Sequence, residues 1–298
     1  MKDKKKFKVA VIDMNDGFPN LGMKGIIDIL SAYEAAHNIE LSAEIFDLRS
    51  KNEIPGINFD IYISSGGPGS PLDGAHQSWE SSFSALLDTI EAYNSTHHQK
   101  KHVFLICYSF QLACRKYGVG KISRRKSGVF GILPVTLTED GKNDIIFKGL
   151  PNPFYAVDSR EWQVTDPEQQ LSAIPEVQVL AIETIISIPL ATNKSADDNL
   201  MTAKDQLHTH EKDRPEPCMM AVRFSKEFTG TQFHPEANPA DIRIYLLEAD
   251  KKEAVIADHG KEKYAGIFSQ LDNPDGVILT QQHILPNFLR EAIQSLNS

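Results

Sequence analysis

The amino-acid sequence predicts an α/β fold built on a doubly wound, mostly parallel sheet with helices on both faces. In the N-terminal half, short apolar segments alternate with longer segments of helical periodicity, which is typical of parallel sheets with right-handed crossovers. Two apolar segments end directly before a glycine-rich turn at 66–70 and before Cys107, at the carboxyl ends of strands, where such sheets bind ligands. After residue 128 the rhythm changes, which predicts an antiparallel extension.

The element boundaries follow from the same periodicities. The first predicted strand, 7–14, is followed by a helix at 22–37 in which Ile26, Leu30 and Tyr33 share one face. Further strands are predicted at 41–48, 60–65, 102–106, 129–137, 154–157, 177–188 and 219–224, with a long helix around 79–90.

The C-terminal part predicts a change from strands to helices. The polar segment 191–217 is poor in aromatic residues, as expected for a mobile excursion. Asn238 followed by a proline is a good helix start, and apolar residues recur at helical spacing within 284–296. We therefore expect one domain over residues 1–240 and a helical extension, 241–298, packed on it.

Composition and charge limit the possible partners. The chain has 298 residues, 41% of them hydrophobic, and lacks an uncharged run long enough to span a bilayer, so we expect a cytoplasmic protein without a membrane role. Three cysteines, an odd number in a large chain, favour reduced thiols over a disulfide framework. The net charge of −9 disfavours nucleic acid as a partner, and the basic stretch Arg124–Lys126 is interpreted as a solvated loop.

Cys107 is the first candidate for chemistry. It lies between a predicted strand that ends at Ile106 and a predicted helix, so its sulfur is placed at a helix N-terminus. The partial positive charge there favours the thiolate, and a neighbouring backbone N–H could stabilise an oxyanion. The alternative is a small, buried, apolar cysteine, the interpretation that Cys114 and Cys218 keep because both lie in apolar patterns.

A histidine and a glutamate form the second candidate. His234 and Glu236 lie two residues apart after a strand-like segment, 231–233, and therefore on the same side of an extended chain. A carboxylate bonded to an imidazole fixes its tautomer and stabilises its protonated form, as a base that serves a cysteine requires. The alternative is a histidine at a strand end beside an incidental glutamate.

The third candidate is the glycine-rich turn. Gly66, Gly67 and Gly69 directly follow a predicted strand, so backbone N–H groups can turn toward a ligand. This ligand is either a phosphate or a developing oxyanion, and an ordinary turn could use the same glycines.

Together, these three candidates resemble the class I glutamine amidotransferases, the family that includes the glutaminase half of GMP synthase. The resemblance covers roughly residues 7–240, and its strongest match is QFHPE at 232–236. Three further stretches are similar: FKGLP at 147–151, SREWQV at 159–164 and VLA at 179–181. The resemblance implies a flavodoxin-like sheet and a glutamine amidotransferase-like domain over 1–240.

The resemblance also implies a role for each candidate residue. Cys107 would attack the side-chain amide carbon of glutamine, His234 would transfer the protons, and Glu236 would orient His234. Backbone N–H groups of Gly67 and Tyr108 would hold the oxyanion. The implied substrate-binding residues are Gly66, Gly69, Gln111 and Ser159. We expect no metal ion and no cofactor to take part.

Three residues depart from the family pattern. Leu105 and Ser109 stand where the family has glycines two positions before and after the cysteine, and Arg160 stands where a histidine is usual. A nucleophile elbow needs small residues two positions before and two positions after the nucleophile. Ser109 is therefore tolerable, but Leu105 predicts a displaced strand or a different pocket.

Three classes of function follow. The first is a glutaminase that supplies ammonia to a separate synthetase, since the segment after Glu236 is too short for a nucleotide-activating domain. The second is a free-standing hydrolase of γ-glutamyl peptides. The third is a binding or regulatory protein that keeps the three residues without turnover. Glutamine or a γ-glutamyl compound is the expected small-molecule partner.

Overall fold

A nine-stranded sheet lies at the centre of the protein in the computed structural model, which describes residues 4–165, 176–184, 218–272 and 276–298. The strands within this part are β1 (Lys6–Asp13), β2 (Glu40–Asp47), β3 (Ile61–Ser64), β4 (His102–Ile106), β5 (Lys121–Leu137), β6 (Phe154–Thr165), β7 (Gln178–Glu183), β8 (Met219–Arg223) and β9 (Phe228–Thr231). Their order across the sheet is β2-β1-β3-β4-β9-β8-β7-β5-β6.

The sheet has a parallel part and an antiparallel part. Strands β2, β1, β3, β4 and β9 are mutually parallel, whereas β8, β7, β5 and β6 continue the sheet in antiparallel pairs. Val9–Ile12 of β1 are all buried, because a parallel strand inside such a sheet is covered on both faces. The predicted α/β class with an antiparallel extension is therefore confirmed.

Helices cover both faces of the sheet. Within the described residues they are α1 (Leu21–His37), α2 (Leu48–Lys51), α3 (Ser78–Thr96), α4 (Tyr108–Tyr117), α5 (Glu139–Asn143), α6 (Pro239–Leu247), α7 (Ala249–His259), α8 (Lys261–Leu271) and α9 (Val277–Leu296). One core cluster joins α1 and α9 to the sheet through residues such as Ile26 and Phe288. The other joins α3 and α4 through residues such as Phe83 and Phe110. This arrangement confirms the doubly wound fold.

The first C-terminal helix begins where the sequence predicts, whereas the last one begins at Val277, before the predicted 284–296. The side chain of Asn238 accepts a hydrogen bond from the Ala240 N–H at 2.8 Å, with a proline at the first position of α6. Helices α6, α7 and α8 enclose a small apolar cluster around Leu246 and Ile267, while α9 returns to the main core. The expected domain boundary at residue 240 stays a prediction.

Two local predictions differ from the structure. Arg124–Lys126 were interpreted as a solvated loop, but they lie within β5, which pairs with β6, so that interpretation is wrong. Strand β9 ends at Thr231, and His234 forms an isolated antiparallel bridge with Val157 rather than continuing a strand. The predicted excursion at 191–217 lies outside the described residues. In the part of the chain that the structure describes, no helix is long and apolar enough to cross a membrane.

Helix α1 approaches the segment after β9 very closely. A Cβ added at Gly25 would lie 2.2 Å from the carbonyl oxygen of Glu236, and one added at Gly22 would lie 2.8 Å from Glu236 Oε1. Two glycines one turn apart thus let the helix backbone contact Glu236 directly.

Replacement of Gly25 by alanine should therefore destabilise the protein, because the added methyl group has no room. We expect the free energy of unfolding, measured by urea denaturation, to fall by about 1–3 kcal/mol. Gly266→Ala in α8 is the matched control. Apart from its own helix backbone and chain neighbours, no described atom lies within 4 Å of an added Cβ there, so alanine should be neutral or stabilising. Equal stability of the two variants would contradict the close packing of α1.

Candidate active site

Cys107 occupies a strained turn between β4 and α4. Its φ of 49° and ψ of −97° place a non-glycine residue in a sparsely populated region of backbone conformation. The turn is held from both sides, because the Cys107 N–H donates to the Thr231 carbonyl at 2.7 Å and the Gln111 N–H donates to the Cys107 carbonyl at 3.0 Å. This strand-turn-helix geometry is that of a nucleophile elbow.

The two residues that replace family glycines are accommodated by their neighbours. Ser109 Oγ accepts a hydrogen bond from the Ile106 N–H at 2.9 Å and lies 3.0 Å from the Ser64 carbonyl. Leu105 is fully buried opposite Gly230 of β9, where an added Cβ would lie 3.2 Å from Leu105 Cβ. Strand β4 stays in regular register with β3 and β9, so the prediction that Leu105 displaces the strand is wrong.

His234 and Glu236 form a hydrogen-bonded pair beside the cysteine. The distance from His234 Nδ1 to Glu236 Oε1 is 2.8 Å, and the His234 N–H donates to the Val157 carbonyl at 2.9 Å. Burial alone would lower the pKa of His234, but the negative charges of Glu236 and Cys107 raise this pKa well above its usual value. The direction of this shift favours the protonated imidazole.

The glycine-rich turn lies against the cysteine and the histidine. A Cβ added at Gly66 would lie 2.9 Å from His234 Cε1 and 3.3 Å from Cys107 Cβ, so only glycine permits this approach. Within the described residues, the backbone N–H groups of Gly67 and Tyr108 donate no hydrogen bond. Both residues line a cavity together with Cys107, so their donors are available to a ligand there.

Arg49 holds the glycine-rich turn in place. Its Nη1 donates to the carbonyl of Pro68 at 2.6 Å and to that of Met14 at 3.1 Å. Its guanidinium also lies over the ring of Tyr108, with Cζ 4.8 Å from the ring centroid. One cation thus connects the turn to the residue that follows the cysteine.

Two glutamines link the cysteine to the hairpin, the antiparallel pair of strands β5 and β6. Gln111 Nε2 donates to the Trp162 carbonyl at 3.2 Å and to Gln232 Oε1 at 3.0 Å, and Gln232 Nε2 lies 3.5 Å from Cys107 Sγ. Gln232 has no role among the sequence-based predictions, although it opens the QFHPE stretch. It lies directly after β9, and only the pairing of β9 with β4 in the structure brings it to the sulfur.

Two cavities open onto Cys107. The basic cavity, of about 950 Å³, is lined by Gly69, Tyr108, Gln111 and the side chains of Arg124–Lys126. The apolar cavity, of about 450 Å³, contains His234 and Glu236 and is walled mostly by apolar residues. Gly67 and Ser159 line both, and the Ser159 carbonyl lies 3.9 Å from Cys107 Sγ. Every predicted site residue therefore lies around the cysteine.

A largely buried ion cluster lies where β5 and β6 form the wall of the basic cavity. Arg160 Nε lies 2.9 Å from Asp158 Oδ2 and its Nη2 lies 3.3 Å from Glu183 Oε2, which also contacts Arg125 at 3.0 Å. Burial would lower the pKa of Arg160, but the carboxylates of Asp158 and Glu183 raise it. Arg160, which replaces a histidine of the family pattern, is thus part of a charge cluster that braces the hairpin.

The other two cysteines are both buried, in different surroundings. Cys114 packs in the apolar core around α3 and α4, as predicted. Cys218 Sγ instead lies 3.1 Å from Gln163 Oε1, so the prediction of apolar surroundings for Cys218 is wrong. Among the described residues, no group of three or more His, Cys, Asp or Glu side chains could hold a metal ion.

Comparison with protein families gives one match. A family model described as glutamine amidotransferase class-I matches residues 30–187, more than half of the chain. No curated protein matches the chain.

Several solved structures share the fold. A glutamine amidotransferase from Thermotoga maritima is 14% identical, with a TM-score of 0.62 over 97% of this chain and 98% of that chain. A glutamine amidotransferase from Methylobacillus flagellatus is 13% identical, with a TM-score of 0.62 over 98% and 96%. The glutaminase domain of Trypanosoma brucei CTP synthase, with bound acivicin, is 13% identical, with a TM-score of 0.52 over 79% and 89%. At this identity the likeness shows the fold alone.

Alkylation by iodoacetamide should be fastest at Cys107. Burial raises the pKa of Cys114 well above its usual value and that of Cys218 to about 11, so both thiols stay protonated and slow. We expect Cys107 to react at least about tenfold faster, measured by peptide mapping over time. In urea-unfolded protein, the control, the three rates should converge. A rate at Cys114 equal to that at Cys107 in the folded protein would be incompatible with this site.

Restoring the family glycines should weaken the elbow rather than improve it. Leu105→Gly leaves a cavity opposite Gly230 and should lower the free energy of unfolding by about 3–5 kcal/mol. Ser109→Gly leaves the Ile106 N–H without its partner and should cost about 1–3 kcal/mol. Ser95→Ala removes a hydroxyl from the exposed end of α3 and is the control, with an expected change below about 0.5 kcal/mol. Faster alkylation of Cys107 in either glycine variant would contradict the view that Gly230 accommodates Leu105 and that the Ser109 hydroxyl stabilises the turn.

Proposed function

This chain belongs to the glutamine amidotransferase class-I family, and we propose that it hydrolyses the side-chain amide of glutamine or of a γ-glutamyl compound, with Cys107 as the nucleophile. One observation carries the proposal. A cysteine on a strained strand-to-helix turn meets a histidine that is hydrogen-bonded to a buried carboxylate. This combination supplies a nucleophile, a proton carrier and the group that orients the carrier.

The residues would act in sequence. The Cys107 thiolate attacks the amide carbon, and the protonated His234 donates its proton to the departing nitrogen, so that the amine leaves and a thioester remains. A water molecule then gives a proton to His234 as its oxygen attacks the thioester carbon. Glu236 keeps Nδ1 of the imidazole bonded, which leaves Nε2 for both transfers.

The oxyanion of each tetrahedral intermediate would be held by backbone donors. The N–H groups of Gly67 and Tyr108 lie beside Cys107 and are unused within the described residues, which supports this role. Gly66, Gly69, Gln111 and Ser159 would contact the substrate. Gln232 would keep Gln111 and the sulfur in place through its two contacts.

Two outcomes of this chemistry are open. If glutamine is the substrate, the ammonia would pass to a synthetase on a separate chain. The second cavity at Cys107 favours another candidate, a free-standing hydrolase of larger γ-glutamyl compounds, because about 450 Å³ of space beside His234 remains when the basic cavity holds the glutamyl group. Turnover that depends on an added synthetase would support the first, and turnover of γ-glutamyl compounds alone would support the second.

Loss of the proposed nucleophile or of its histidine should stop hydrolysis. Cys107→Ala and His234→Ala should each lower kcat by on the order of a thousandfold or more, and the double variant should lose little beyond either. His97→Ala, at an exposed histidine at the end of α3, is the control and should keep full activity. A diazo-ketone glutamine analogue should label Cys107 in the wild type. Additive losses in the double variant would mean that the two residues serve separate roles.

The same pair predicts a pH effect. Because the Glu236 charge raises the pKa of His234, Glu236→Gln should lower that pKa, and the imidazolium that protonates the leaving nitrogen should be lost at a lower pH. The alkaline limb of the kcat/KM profile should therefore move to lower pH in this variant. An unchanged limb would show that Glu236 does not sustain the protonated imidazole.

A further inference from the structure

We propose that the apolar cavity binds the leaving amine, and that the preferred substrate is a γ-glutamyl amide whose amine carries an apolar group. This inference rests on the proposed cysteine chemistry and extends it from the bond that breaks to the group that leaves. It favours the free-standing hydrolase over the ammonia supplier.

The position of the histidine decides which cavity takes which half of the substrate. The departing nitrogen must receive its proton from the imidazole, so the leaving amine has to lie on the imidazole's side of the sulfur. In the described part of the chain, His234 lines the apolar cavity and not the basic one. Tyr108 and Gln111 line only the basic cavity, which therefore takes the glutamyl half with its charged carboxylate.

The walls of the apolar cavity suit an uncharged, apolar group. Ile242 and Tyr245 of α6, Ile267 of α8 and Leu21 at the start of α1 contribute to them. Among the described lining residues, His234 and Glu236 are the charged pair, and they are bonded to each other. Apart from this pair, the polar side chains in the lining are neutral, so a carboxylate on the leaving amine would lose hydration here without gaining a free cation, which is unfavourable.

The size of this cavity also exceeds what ammonia requires. Its volume of about 450 Å³ lies in the range of sites for small organic ligands. Ammonia is comparable to a water molecule, whose share of liquid volume is about 30 Å³. A ring or short alkyl chain on the nitrogen would use the remaining space and displace water from the apolar walls.

The reaction balances without any further reactant than water. The Cys107 sulfur forms a bond to the γ-carbonyl carbon, the carbon–nitrogen bond breaks, and the His234 proton moves to the nitrogen. The neutral amine leaves into the apolar cavity. Water then cleaves the thioester: one of its protons passes to the imidazole, its oxygen and other hydrogen complete the γ-carboxyl group, and the thiolate is restored. The carboxyl group finally releases its proton to solvent as the γ-carboxylate.

The test compares three glutamyl substrates by the glutamate that they release: γ-glutamyl benzylamide, γ-glutamylglycine and glutamine. We expect kcat/KM for the benzylamide to exceed that for each of the others by at least about tenfold, from burial of the ring. Equal or better turnover of γ-glutamylglycine or glutamine would overturn the proposal.

A pair of variants on α6 locates the effect. Ile242→Trp fills the apolar cavity and should lower kcat/KM for the benzylamide at least about tenfold more than for glutamine. Ile244→Trp is the matched control, since Ile244 is 63% exposed on the same helix and does not line the described cavity. Ile244→Trp should leave kcat/KM unchanged for all three substrates. Equal effects of the two variants would overturn the assignment.

A binding measurement separates this inference from the proposed function. Benzylamine should slow the alkylation of Cys107 by iodoacetamide in the wild type and in Ile244→Trp, but not in Ile242→Trp. If methylamine slowed the alkylation of Cys107 as much as benzylamine does, the assignment of an apolar amine site would be overturned. Hydrolysis that persists in Cys107→Ala would instead refute the cysteine mechanism, whichever substrate is preferred.

Discussion

The backbone turn at Cys107 is the constraint on which the rest of the site depends. A non-glycine residue with positive φ is unfavourable unless its surroundings hold it, and here the Thr231 carbonyl, the Ser109 hydroxyl and the first turn of α4 do so. Because β9 pairs directly with β4, the chain that leaves β9 passes beside the sulfur. The imidazole and the carboxylate reach the cysteine for this reason.

The orientation of the segment after β9, which carries His234 and Glu236, depends on two backbone contacts. His234 bonds to Val157 in the antiparallel extension, and the Glu236 backbone packs against a helix that presents glycines there. The charge of the buried carboxylate raises the pKa of the imidazole. The parallel part of the sheet thus carries Cys107, and the antiparallel part positions His234 beside it.

The departures from the family pattern show how the same turn is kept with different residues. A leucine in β4 lies opposite a glycine in β9, where a larger residue would crowd the leucine. Where the family pattern has a flexible glycine, Ser109 of α4 accepts a hydrogen bond from the Ile106 N–H of β4. Arg160 is paired with the carboxylates of Asp158 and Glu183, which connects β6 to β7 beside the site.

The sequence by itself determined the parallel sheet, the turn at Cys107 and the pairing of His234 with Glu236, because each depends on periodicity or on residues close along the chain. Only the tertiary structure decided the role of Gln232, the match of Leu105 to its glycine, and the two cavities that divide at the sulfur. Those features join residues more than a hundred positions apart. Contacts of this kind leave no periodic signal in a single sequence, since they depend on which elements pack together.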